Sequence, residues 1–162
     1  MTYHLLSSQI ERETGLMELL LFKLQQEHLM LAAGQDRWLH HATAEVNLVM
    51  EQLHQATATR TATSMSIASD AGLPANATLG QLSQSAATSA PEWSALLESQ
   101  RGHLRDLLGQ IELVGRINRE ILASRLSVTR EALVMLGEAP AVGYGRDAHA
   151  SRPMAHVVSE AF

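Results

Sequence analysis

Residues 92–137 read EWSALLESQRGHLRDLLGQIELVGRINREILASRLSVTREALVMLG. No proline interrupts this stretch. Pro91 stands just before it, and Gly137 and Pro140 close it, an arrangement that starts and stops a helix. At ~1.5 Å per residue it predicts one rod of roughly 70 Å. Leu97, Leu104, Leu108, Ile111, Gly115, Asn118, Leu122, Arg125, Thr129, Ala132 and Leu136 follow 3-4 spacing along it. Leu107, Val114, Ile117, Ile121 and Val128 widen the stripe. An apolar band that broad does not stay in water. It must lie against other helices of the chain, with surplus surface left for a partner.

Those other helices lie upstream. Residues 3–33 carry Leu6, Ile10, Met17, Leu20, Leu24 and Leu31 on one seam, while Leu16, Leu19, Leu21, Phe22, Leu29 and Met30 spread apolar character around the helix. Ala33-Gly34-Gln35-Asp36 reads as a glycine stop followed by an aspartate N-cap. A second helix, 36–66, places Leu39, Ala42, Val46, Val49, Leu53, Ala56 and Ile67 on one face. The short Gly34 loop makes it the antiparallel neighbour of the first. After Leu53 the run ATATRTATSMSIAS is rich in threonine and serine, so a frayed end is expected there. Residues 70–91, nearly uncharged and rich in Ala, Ser, Thr, Gly and Pro, read as a linker, with one helical turn over Thr78-Leu-Gly-Gln-Leu82 capped by Thr78. The expectation is an all-α chain: three long helices in an elongated antiparallel bundle or coiled coil, a single domain over residues 1–137. Residues 138–162, broken by glycine and proline, are expected to form a flexible tail.

Composition narrows the class. At 162 residues the chain supports one modest core. Aromatics are 4% against 46% apolar residues, which favours aliphatic layers between helices over a β-rich core. The net charge of −5 argues against generic nucleic-acid binding. Lys23 is the sole lysine and every other cation is arginine, which suits fixed planar contacts. There is no cysteine, so disulfides and thiolate metal sites are excluded. The N-terminus has no basic segment leading into an apolar core, and no apolar run approaches ~18 residues. A soluble cytoplasmic protein is the simplest expectation.

No constellation of catalytic residues is readable. Glu51-x-x-His54 has the spacing of carboxylate-bridged di-iron bundles, but such a site needs two copies and two further glutamates, and only one copy is present. His40 and His41 project about 100° apart on a helix, which suits a solvated pair better than a chelate. His103-Leu-Arg-Asp-Leu-Leu-Gly109 weakly resembles the phosphoacceptor stretch of histidine phosphotransfer bundles, yet Asp106 sits where a cation is wanted. No nucleophile elbow or phosphate loop occurs. The expectation is neither an enzyme nor a holder of metal or cofactor, with no small-molecule substrate. Gly109 and Gly115 are expected to mark close helix–helix approach or room for a partner helix. Asn118, on the apolar seam itself, is expected to set register or to meet a partner's backbone. Arg116, Arg119, Arg125 and Arg130 are expected to be mostly solvated.

The order of these features resembles the FlgN-type flagellar export chaperones. The matching residues are Gly34-Gln-Asp36, Ala71-Gly-Leu-Pro74, Thr78-Leu-Gly-Gln-Leu82, Ile117-Asn-Arg119, Leu126 to Leu136 and Tyr144-Gly-Arg-Asp147. The resemblance implies a cytoplasmic chaperone of type III flagellar secretion. It would bind the amphipathic terminal helices of hook-filament junction (hook-associated) proteins, keep them unassembled and deliver them to the export gate. It places the client surface mainly on the last helix, at Leu104, Leu108, Ile111, Val114, Ile117, Asn118, Ile121, Leu122 and Val128. It gives Tyr144 the role of docking to the export gate. Two alternatives stand beside this reading: a self-associating helical module, with a homodimer when free, and the phosphotransfer bundle centred on His103.

Overall fold

The computed structural model describes residues 2–137, all of whose regular elements are helices: α1 (Thr2–Ala32), α2 (Asp36–Asp70), α3 (Leu79–Ser89) and α4 (Pro91–Met135). Four helices, not three, make the fold, the additional one lying inside the expected linker. α1 is buried along the seam its sequence marks: Leu6, Ile10, Met17, Leu20, Leu24 and Leu31 all lie in the core. It is the shared element. α2 runs antiparallel along one side of it, as Lys23–Glu45, Glu27–Thr43 and Glu13–Thr57 show. α4 runs parallel along the other. Tyr3 stacks on Trp93, Ser7 meets Gln100, Leu24 meets Asn118, and the carbonyl of Leu31 meets Arg125. α3 lies antiparallel on the first turns of α4, where Ser83 Oγ donates to the Ser94 carbonyl at 2.9 Å, and it also touches α2. It therefore fills the fourth corner of the bundle for its 11 residues alone.

The turns follow from two glycines. Gly34 and Gly72 both adopt φ +68°, a left-handed conformation that glycine takes without a Cβ penalty. In each case the next amide reaches back five residues, Gln35 to Met30 at 3.0 Å and Leu73 to Ala68 at 2.8 Å, closing a Schellman motif. Asp36 is the first residue of α2, not its cap. The cap position is Gln35, which makes no side-chain cap bond, and Asp36 instead places its charge in the first turn.

Two expectations for the middle of the chain change. α2 continues through the threonine run to Asp70. Thr59, Thr61 and Thr63 each donate their hydroxyl to the carbonyl four residues back, so these side chains stay on the helix. Packing outweighs their low propensity, because Ile67 and Ala68 are buried with Leu79 and Leu82 of α3. α3 itself is more than a turn. Thr78 caps it as expected, and its capping box is complete: Thr78 Oγ1 accepts from the Gln81 amide at 3.3 Å, and Gln81 Oε1 accepts from the Thr78 amide at 2.9 Å. Leu79, Leu82, Ser83 and Ala86 are then buried on one face.

Inside the aliphatic core lie two acids. Glu13 and Glu27 are buried on α1, on the same seam as Leu6 and Leu20. Each accepts a threonine hydroxyl of α2 at 2.7 Å, Thr57 for Glu13 and Thr43 for Glu27. Glu13 is also ion-paired with the buried Arg60, and Glu27 accepts from Asn118 of α4 at 3.0 Å. Removing one member of a buried pair leaves the other charge desolvated and unmatched, at a cost of about 3–5 kcal/mol. Glu13→Ala is therefore expected to lower stability in urea denaturation by about that amount. Glu13→Leu combined with Arg60→Met is expected to recover most of the loss, because no charge is then left alone.

Candidate functional site: an apolar furrow between α1 and α4

The heptad arithmetic of α4 contains two seams. Leu97, Leu104, Ile111, Asn118 and Arg125 recur every seven residues and face α1. Leu104, Ile111 and Asn118, expected to meet a client, are 0, 4 and 2% exposed and covered by the chain itself. Asn118 spends its amide on α1. Its Nδ2 donates to the Leu24 carbonyl at 2.9 Å and to Glu27, and its Oδ1 lies 3.0 Å from His28 Nδ1. A client reaches these three only if α1 moves away. Leu108 and Val114 are half-buried against the core.

The second seam, Val114, Ile121, Val128 and Met135, also recurs every seven residues, and Ile117 flanks it. It lies about 50° around α4 from the first, and its line begins at the buried Leu107. Ile117 and Ile121 are half-buried, as is Leu122 beside the core seam, while Leu113 and Val128 are exposed. The facing line on α1 is Thr14, Leu21 and His28, all half-buried at the α4 contact. Phe22 and Leu29, 51 and 67% exposed, stand on the outer face of α1, about 100° round from this line and beyond Glu18. The two helices thus form a furrow whose α4 wall is apolar and whose α1 edge carries Glu11, Glu18 and Gln25, with Leu21 in its floor. Only α4's share of it was expected. The signal for α1's share was present in the sequence: Thr14, Leu21 and His28 are seven apart, beside the core seam.

α4 outlasts its support. Arg125 bridges the Leu31 carbonyl at the end of α1 and the carboxylate of Asp36 at the start of α2, so this arginine is engaged in the fold and not solvated. Beyond it α4 runs on to Met135, roughly 15 Å at ~1.5 Å per residue. Leu126, Val128, Val134 and Met135 are exposed along this extension. Arg116, Arg119 and Arg130 are exposed as expected. The glycines do not mark close approach. A Cβ at Gly109 would meet nothing within 4 Å, and one at Gly115 would meet only the guanidinium of Arg119, at 3.4 Å. Tyr144 lies outside the described residues.

The chemistry-bearing candidates are dispersed. His103 is exposed, with Nε2 3.4 Å from the carboxylate of Glu18, an anion where a phosphoryl group would have to sit. His40 and His41 are nearer than the helical wheel implies, with ring centroids 3.8 Å apart, and Trp38 extends the cluster at 5.9 Å from His41. Among the described residues no group of three or more His, Asp or Glu is placed to hold a metal ion, and no helix is long and apolar enough to cross a membrane.

Apolar surface left in water along α4 and onto its unsupported end has the form that helix-in-groove recognition uses. The chain matches the family model described as FlgN protein over residues 1–152, and it belongs to that family, the FlgN flagellar export chaperones. No curated protein and no solved structure matches it.

Two stability measurements separate exposed surface from core. Phe22→Ser and Val128→Ser are expected to change the unfolding free energy by less than about 0.5 kcal/mol, whereas Ile111→Ala is expected to cost about 2–5 kcal/mol. Gly109→Ala, in an exposed helix interior, is expected to stabilise by about 1 kcal/mol in the same assay.

Proposed function

We propose that this flagellar export chaperone binds hook-associated proteins through their amphipathic terminal helices, prevents their premature assembly in the cytoplasm and carries them to the type III export gate. The observation that supports this reading is the second seam of α4 and the line beside it, Val114, Ile117, Ile121 and Val128, with Leu21 of α1 at their foot. A client helix laid along it would cover side chains that the chain leaves in water, each worth about 1.5–3 kcal/mol when fully buried. Part of that gain offsets the ordering of the client, so binding stays reversible and release needs no chemistry. Leu108 and Leu122 belong to the edge of this surface. Leu104, Ile111 and Asn118 hold α4 in place beneath it. Tyr144, beyond the helices, is the proposed contact to the export gate, so client and gate engage separate parts of the chain.

Co-purification with hook-associated proteins tests the reading. Ile121→Asp is expected to weaken client binding by about 2 kcal/mol or more, roughly 30-fold, with far-UV circular dichroism unchanged. Tyr144→Ala is expected to leave client binding intact and to lower recovery of the gate component. Loss of both functions in either variant, with the helices intact, would count against the division.

A further inference from the structure

The furrow's rims carry one sign of charge. On α4, Asp106 and Glu120 lie on the line of Leu113, about 100° round from the second seam, and Glu131 lies on the line of Ile117 between them. On α1, Glu11 and Glu18 lie on the line between Leu21 and Phe22, and the contact of Glu18 with His103 shows that this line looks toward α4. All five acids are exposed. Of the ion pairs among the described residues, none uses Glu11, Asp106, Glu120 or Glu131, and Glu18 has only a histidine. The arginines of α4 lie elsewhere. Arg116 and Arg130 lie about 50° beyond the line of Glu120, and Arg105 and Arg119, with Glu112 between them, about 100° beyond it, away from the furrow. One helix thus has an acidic edge beside its apolar furrow and a basic edge on the opposite side of its exposed face.

From this segregation we infer that the occupant of the furrow is a cationic amphipathic helix: an apolar stripe flanked on both sides by lysine or arginine. The inference rests on the furrow being the client surface and adds what kind of helix it selects. The seam binds any apolar stripe of the right width. The rims choose among such helices, because like charges brought against Glu120 and Glu131 repel and opposite charges are satisfied. A client segment with glutamates beside its stripe is rejected by the same surface.

The probes are two synthetic amphipathic helices of equal length with one leucine seam, flanked by lysine in the first and glutamate in the second. Each is titrated into the full chain by fluorescence anisotropy. The lysine peptide is expected to bind at least about tenfold tighter at ~0.05 M salt, with the preference largely gone at ~0.5 M. Glu120→Lys with Glu131→Lys is expected to abolish that preference. Glu51→Lys with Asp70→Lys, the same change in net charge placed on α2, is expected to keep it. Equal binding of the two peptides, or equal loss of preference in both double variants, overturns the charge selection and leaves the furrow reading standing. If neither peptide binds, or if Ile117→Ser with Ile121→Ser binds both as well as the parent chain does, the furrow is not a helix site and both readings fall together.

Discussion

Two buried carboxylates decide how this bundle is assembled. Leucine seams slide past one another at little cost, since one aliphatic layer resembles the next. Glu13 and Glu27 do not allow that. They sit two heptads apart on α1, and their threonine partners Thr57 and Thr43 sit two heptads apart on α2, so a single antiparallel register satisfies both. A shift of one turn in either direction would bury two unmatched acids. Glu27 extends the constraint to the third long helix through Asn118, which also bonds the backbone of α1. The polar layer stabilises little against a well-packed apolar alternative; its effect is to select one arrangement among many similar ones.

With register settled in this way, α4 divides along its length. Up to about Asn118 its main seam is aliphatic and serves the fold. From Asn118 to Arg125 the seam becomes polar and is tied to backbone and carboxylate groups at the end of α1. After Arg125 there is no helix left to pack against, yet the sequence remains apolar. The same helix is thus core at one end and unsupported surface at the other. α3 makes the contrast sharper, because it supplies a fourth helix only beside the first turns of α4. The lower bundle is closed on four sides, and the furrow with its extension lies on the part that is not.

The long amphipathic patterns were legible from the residues. Every member of the α1 seam from Leu6 to Leu31 is buried, and the faces of α2 and α4 follow their heptads closely. The misreadings came where local chemistry and packing disagree. Threonine-rich residues 57–64 argue against helix locally, but Thr57, Arg60 and Ser64 are buried against other elements. The Ala/Ser/Thr composition of residues 79–89 looks like linker because small residues give a weak hydrophobic signal; they are small since Ser83 and Ala86 are buried in close packing. Glu13 and Glu27 interrupt the apolar seam of α1, and nothing near them in sequence marks them as buried, because their partners lie far along the chain.

By itself, then, the order of residues determined the helical class, the length of the last helix, the position of the Gly34 turn and the series of motifs that marks the family. All of these depend on contacts or spacings within a few turns of one chain segment, where periodicity is a direct record of geometry. Only the tertiary structure decided which of α4's two seams is core. Both have the same heptad spacing and both meet α1, the second through Gln100 and the buried Leu107, but only the first stays covered as far as Asn118. That depends on pairings across roughly ninety residues of chain, Leu24 with Asn118 and Leu31 with Arg125, which no local pattern encodes.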